Sequence, residues 1–205
     1  MCGVLDLVEL ASRLGRLEAR CGPVRLVAVD GHAGSGKSTF AARLAEELDA
    51  APVLHLDDLA SHDALFEWTA RFRTVVAEPL SEGRTAHFRG YDWRHRAFLR
   101  ASALPPRPVV LVEGVGAGRR ALRPWLSAVL WMDLPRGTSW ERGMRRDGPE
   151  QAAFWTRWRR AETRHFTVDP SRPYAHFLVR EHGVGWVIRD GPAGGFWGPG
   201  HPHSG

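Results

Sequence analysis

A chain of 205 residues, 43% of them hydrophobic, is sized for one globular domain with a substantial core. No apolar run approaches the roughly 20 residues that cross a bilayer, and no basic flank with an apolar segment marks a secretion signal, so the expected setting is cytoplasmic with no membrane partner. The formal charge of +5 is interspersed with acids; it suits small anionic ligands, and without a recognition motif nucleic acid is not an expected partner. Cys2 and Cys21 lack metal-ligand spacing and are expected to be reduced.

Val4 to Arg20 carries Leu5, Val8, Leu10, Leu14 and Leu17 at near-helical spacing, which predicts a lead-in helix over 4–20, ended by Gly22-Pro23. Val24 to Val29 reads as a buried strand. A glycine-rich loop follows, then a helix from Lys37 to about Leu48. Pro52 to Leu56 is a second strand, running into Asp57-Asp58. Ala64 to Glu78 looks helical, and Gly83 to Trp93 irregular or extended. Val109 to Val112 and Val129 to Met132 are further strands, ending at Glu113 and Asp133. Thr138 to Arg146 and Glu150 to Arg164 read as helices, the second with Trp155 and Trp158 as core residues. Val184 to Ile188 reads as a fifth strand. Asp190 to Gly205, rich in Gly and Pro, reads as a mobile tail, His201 and His203 included. Short strands alternating with helices predict an α/β, three-layer fold: a five-stranded parallel sheet with helices on both faces, one domain over 1–189, and the Gly-x-x-x-x-Gly-Lys-Ser loop after its first strand makes that a P-loop NTPase fold. In such sheets ligands bind at the carboxyl edge, where Asp57, Glu113 and Asp133 fall.

The loop Gly31-His32-Ala33-Gly34-Ser35-Gly36-Lys37-Ser38, with Thr39 after it, has the Gly-x-x-x-x-Gly-Lys-Ser pattern between a strand and a helix. Glycines let backbone N–H groups converge on one point, where the helix dipole is positive. Lys37 is expected to reach the β- and γ-phosphates of ATP, and Ser38 to hold Mg²⁺. Lys37 is also the single lysine among 28 basic residues, and an ammonium is the compact point charge such a loop needs. The chain has no asparagine, so it lacks the Asn-Lys-x-Asp reader of guanine.

Glu113 follows four aliphatic residues and is placed to hold Mg²⁺ near Ser38. Asp57 is favoured over Asp58, a natural helix cap, as the carboxylate that accepts a hydroxyl proton or orients Mg²⁺. Arg142, Arg145 and Arg146 share a helical segment and can stabilise charge on a transferring phosphoryl group. Tyr91-Asp92-Trp93-Arg94-His95-Arg96 mixes rings and charges as a small-molecule pocket wall does, or as a loop packing Tyr91 and Trp93 inward.

In this order the motifs resemble the uridine kinase-like branch of the P-loop kinases, from about Val24 to Asp147. Asp57 matches the family's catalytic base. Glu82-Gly83-Arg84-Thr85 is similar to its Glu-Gly-Lys/Arg-Thr stretch, and Tyr91-Asp92-Trp93 to its Tyr-Asp-aromatic element at the nucleoside pocket. Val112-Glu113-Gly114-Val115 is similar to its magnesium motif, and Arg142-x-x-x-Arg146-Asp147 to its arginine lid, here about 136–149. The resemblance implies an ATP- and Mg²⁺-dependent kinase that phosphorylates a hydroxyl on a small nucleoside-like acceptor, with Lys37, Asp57, Arg142 and Arg146 catalytic. Tyr91, Asp92, Arg96 and Thr69 are the implied acceptor-site residues. The chain departs from the pattern in four places. No aromatic pair follows Asp57; the ribose-binding aspartate falls at Thr69; the pocket histidine falls at Arg96; and one lid arginine is Gly143. Those departures leave open a nucleotide-binding ATPase switch or partner protein without kinase activity, and a homo-oligomer is left open too.

Overall fold

The computed structural model describes residues 4–194. Helix α1 (Leu7–Gly15) is shorter than the expected lead-in helix because Asp6 caps it: the Glu9 amide donates to Asp6 Oδ1 (2.8 Å), and the Asp6 amide to Glu9 Oε2 (3.2 Å). The chain before the cap is extended, and Leu5 bridges Ile188. Strand β1 (Arg25–Asp30) leads through the glycine-rich loop into α2 (Lys37–Glu47), and β2 (Val53–His55) follows.

The next helix begins at Thr69, not Ala64, since Ser61 and Ala64 close a turn on each other first. It runs as α3 (Thr69–Phe72), a π-helical turn (Arg73–Ala77) and α4 (Glu78–Ser81). Pro79 accounts for the π turn: a ring without an N–H cannot sit over a tight preceding turn. The segment read as irregular or extended is extended: it supplies β3 (Ala86–Asp92), which forms a hairpin with the unexpected β4 (Ala97–Leu104), a sheet separate from the main one. Strands β5 (Val109–Glu113) and β6 (Leu126–Met132), helices α5 (Arg136–Asp147) and α6 (Ala152–Val168), and strands β7 (Phe177–His182) and β8 (Gly185–Asp190) complete the order.

The main sheet has six strands rather than five, in the order β2-β5-β1-β6-β7-β8. Five are parallel. The stretch expected as the fifth parallel strand is β8, which runs antiparallel to the unforeseen β7 across a turn holding Gly183 at φ 59°. That tight turn permits only an antiparallel neighbour. Along β1 alternate residues face opposite layers. Leu26 and Ala28 pack with Phe72, Val76 and Leu80, while Val27 and Val29 pack with Leu10, Leu14, Phe40 and Leu44. A third apolar cluster, Val115 with Trp140, Trp155 and Trp158, lies where α5 and α6 meet the segment after β5.

Of the expected tail, residues 190–194 are tied down: Gly191 N donates to His176 O (2.7 Å) and Ala193 N to Ala175 O (3.0 Å). His201, His203 and Cys2 lie outside the described residues. Cys21 is a free, buried thiol whose Sγ donates to Ala77 O (3.4 Å), and burial pushes its pKa up to about 11. No helix among the described residues is long and apolar enough to cross a membrane.

Candidate active site

The strands of the parallel sheet point their carboxyl ends at a cavity of about 460 Å³. One end of it is the glycine-rich loop: Ala33, Gly34, Gly36, Lys37, Ser38 and Thr39 line it. Gly36 precedes α2 in a left-handed conformation (φ 91°) with open space where a side chain would stand, so the first amides of α2 have no capping side chain and face the cradle. Gly34 (φ 84°) presses on α5: a Cβ there would overlap the Ser139 carbonyl and come within 2.8 Å of Gly143 N. Lys37 Nζ spans its own loop to His32 O (2.9 Å).

The rest of the loop faces inward. Gly31, His32 and Ser35 do not line the cavity. The His32 ring meets Glu162 Oε1 (2.6 Å) among Trp131, Trp140 and Phe166. Glu162 is fully buried, and its other oxygen accepts from Ala33 N (3.3 Å) and Trp158 Nε1 (2.8 Å). Burial pushes its carboxyl up, but the His32 ring and the indole donors hold it below the ordinary range. Asp30, also fully buried, accepts from Gly31 N (2.7 Å), Gly116 N (2.8 Å) and Gly118 N (2.8 Å), pinning the start of the loop to the segment after β5. Sequence reasoning passed over both acids. The signals were there: Asp30 abuts the loop, and Glu162 shares the Trp155-Trp158 face of its helix.

Asp57, Glu113, Arg142 and Arg146 share the cavity with the loop. Ser38 Oγ donates to Glu113 Oε1 (3.1 Å), which also meets His55 Nδ1 (2.5 Å). Burial raises the Glu113 carboxyl, but the His55 contact and the Lys37 charge hold it below its usual range; the same contact raises His55. Asp57 opens to the cavity while protein crowds it. Desolvation and then Glu113 push its carboxyl up, with Lys37 and His55 opposing. Arg142 pairs with Glu181 (2.7 Å) and Arg146 with Asp147 (2.7 Å). Arg145 does not line the cavity. Gly143 leaves no room for an arginine, because the Trp155 ring occupies the space beside it.

Asp58, Asp133 and the expected acceptor residues are placed elsewhere. Asp58 pairs with Arg100 on the hairpin, and Asp133 with Arg172 (3.0 Å) and Arg180 (3.4 Å). Tyr91 is buried, its hydroxyl against His62 Nδ1 (3.0 Å). Asp92 caps the hairpin turn, accepting from Arg94 N (2.9 Å) and His95 N (2.8 Å). Arg96 is an exposed turn residue at φ 55°. Thr69 Oγ1 accepts from Arg119 (2.8 Å), a buried guanidinium that lies 3.8 Å over Trp68 and that burial lowers to about 10. None of these four lines the cavity; Trp93, Phe154, Trp155, Trp158 and Val115 do.

A glycine-rich loop at a helix start, facing carboxylates on the strand ends of a mostly parallel sheet, is the arrangement of a P-loop fold. No family model matches the chain, and no curated protein matches it. Solved structures do. One is a possible uridine kinase from Bacillus stearothermophilus, at 17% identity and TM-score 0.60, covering 84% of this chain and 96% of that one. Another is described as a fructose transport system kinase from Silicibacter sp. TM1040, at 22% identity and TM-score 0.55, covering 67% of this chain and 79% of that one. Likeness at these identities establishes the fold: this chain has a P-loop kinase fold of the uridine kinase-like type.

Proposed function

We propose that the protein is an ATP- and Mg²⁺-dependent kinase that transfers the γ-phosphoryl group to a hydroxyl of a small molecule. The observation that carries this reading is the single cavity lined by the loop, Asp57, Glu113, Arg142 and Arg146. Its oxygen donors fit Mg²⁺: Ser38 Oγ and the Glu113 carboxylate already touch, and Asp57 lines the same space. Among the described residues no three His, Cys, Asp or Glu form a metal cage of their own. That agrees with Mg²⁺, which takes one or two carboxylates and completes its shell with phosphate oxygens and water. Bound there, Mg²⁺ would neutralise charge on the β- and γ-phosphates.

The chain's own groups do the rest. The α2 amides and Lys37 hold the phosphates, Lys37 exchanging the His32 carbonyl for phosphate oxygen. Asp57 accepts the acceptor's hydroxyl proton as the new O–P bond forms and the bond to the β–γ bridging oxygen breaks, with ADP keeping that electron pair. Arg142 and Arg146 swing from their surface carboxylate partners onto the γ-phosphoryl charge. Preorganised charge of this kind supplies most of the acceleration in phosphoryl transfer. The test is ADP release with product detection across hydroxyl acceptors. Lys37→Ala should abolish transfer, and Asp57→Asn should lower kcat about 100-fold or more with ATP affinity nearly intact. Unchanged turnover in Asp57→Asn would remove that residue from the mechanism, and ADP release without any phosphorylated acceptor would favour an ATPase switch.

A further inference from the structure

The wall of the cavity beside Asp57 is aromatic. Trp93 Nε1 donates to the Asp57 carbonyl (3.1 Å), which fixes that ring next to the carboxylate. Phe154 follows at 6.1 Å between centroids, and Trp158 stacks on Phe154 at 5.8 Å. Trp155 and Val115 complete the surface.

The hydrogen-bonding capacity of this wall is already spent. Trp155 Nε1 donates to Asp147 Oδ2 (3.0 Å), Trp158 Nε1 to Glu162, and Trp93 Nε1 to the main chain. The Tyr91 hydroxyl behind it is held by His62, and Thr69 by Arg119. Asp92 is committed to its own turn. The Asp57 carboxylate, by contrast, accepts no hydrogen bond from any described residue. A substrate laid on this wall therefore meets ring carbon along its body, with the Asp57 carboxylate at its reacting end and the charged groups of the cavity, Glu113, Arg142, Arg146 and Asp147, around its rim.

The geometry points to an acceptor that is a primary alcohol on a flat, largely apolar body, of the hydroxymethyl-aromatic or heteroaromatic class, and not a sugar or nucleoside. This rests on the kinase reading and deepens it. A ring can stack on the tryptophan and phenylalanine surface while its one hydroxyl reaches Asp57. The ribose hydroxyls of a nucleoside stacked on these rings would lose water against surfaces whose indole donors are already committed, a penalty of about tenfold or more in kcat/KM.

The experiment uses the full chain with ATP and Mg²⁺ and compares benzyl alcohol and 3-(hydroxymethyl)pyridine with uridine, ribose and glycerol, following ADP release and phosphorylated product. The expected result is kcat/KM at least about tenfold higher for the aromatic alcohols. Trp93→Ala and Phe154→Ala should each raise the KM of the aromatic alcohol about tenfold and leave the ATP KM within about twofold, while Trp93→Phe, which keeps a ring but loses the bond to the Asp57 carbonyl, should raise it by less. Better turnover of uridine or ribose would overturn the acceptor class and leave the kinase reading standing. A shift in the ATP KM in place of the acceptor KM would overturn it too, by giving the wall to the nucleotide base. If no acceptor is phosphorylated the kinase reading falls, and calorimetric titration of 3-(hydroxymethyl)pyridine into the ADP-bound protein decides the pocket. Saturable binding lost in Trp93→Ala supports the apolar class, and no binding overturns it.

Discussion

Gly143→Ala is a substitution whose naive and structural expectations have opposite signs. Gly143 lies inside α5, where alanine is favoured over glycine by about 1 kcal/mol. Yet a Cβ at this position would come within 2.5 Å of Trp155 Cζ2 and closer still to Cη2. The ring cannot simply turn away, since Trp155 is buried and its Nε1 is bonded to Asp147. Overpacking of this kind costs about 1–3 kcal/mol, and breaking the indole bond to relieve it costs about 1 kcal/mol more. The net expectation is a loss of about 2 kcal/mol, or roughly 4–8 °C in Tm for a chain of this size. Gly137→Ala is the matched control: it sits in the same helix with nothing within 4 Å of its would-be Cβ, and should be neutral or stabilising by about 0.5 kcal/mol. Urea and thermal unfolding of the pair measure both. Gly143→Ala as stable as the parent would refute the packing argument for why this position lacks an arginine.

Glu162→Gln should cost about 2 kcal/mol in urea unfolding, because it neutralises a buried acceptor shared by the His32 ring, Ala33 N and Trp158. It should also weaken ATP binding about 3- to 10-fold through the displaced loop; unchanged ATP affinity would mean that the loop holds its shape without this brace. His176 gives a pH dependence. Burial depresses its pKa to about 4, and its Nδ1 accepts from Val129 N (2.9 Å). The unfolded chain takes up this proton near the ordinary 6.5 and the folded chain does not, so stability is complete above about 6.5 and falls as the pH drops toward 4, by up to about 3 kcal/mol. Urea midpoints of the parent and His176→Gln at pH 7 and 4.5 test this; parallel losses in both would clear His176.

The loop end of the cavity was legible in the sequence because its signals are local. A strand, a Gly-x-x-x-x-Gly-Lys-Ser turn and a helix are contiguous, and Asp57 and Glu113 each announce themselves by following an apolar strand. The aromatic wall was legible only in part. The 91–96 segment read either as a pocket wall or as a loop packing inward, and Trp93 does line the cavity; Trp155 and Trp158, from a helix some sixty residues later, read locally as core, and Phe154 carried no signal of its own. Trp155 and Trp158 are indeed buried, yet they also face the cavity, two roles that a helical stripe cannot distinguish. Thr69 and Arg96 were chosen by spacing from a resemblance, and spacing carries no information about Arg119, which holds Thr69 from fifty residues away. Strand β7 was missed because its second half, Arg180-Glu181-His182, is exposed and polar. Of the hairpin, β3 fell in the stretch read as irregular or extended, and β4 was missed because its exposed residues blur its alternation.

The hairpin's separation from the main sheet has a consequence for how such a protein can diversify. β3 and β4 pair only with each other in the strand ladders, whereas the phosphate cradle is built on β1, β5 and α2. The turn that carries Trp93 can therefore change length without breaking a ladder of the sheet beneath the glycine-rich loop, although Ala86 and Leu104 tie the hairpin's far end into the main core. Variation in that turn can reshape the aromatic wall while the ladder that carries the glycine-rich loop stays intact.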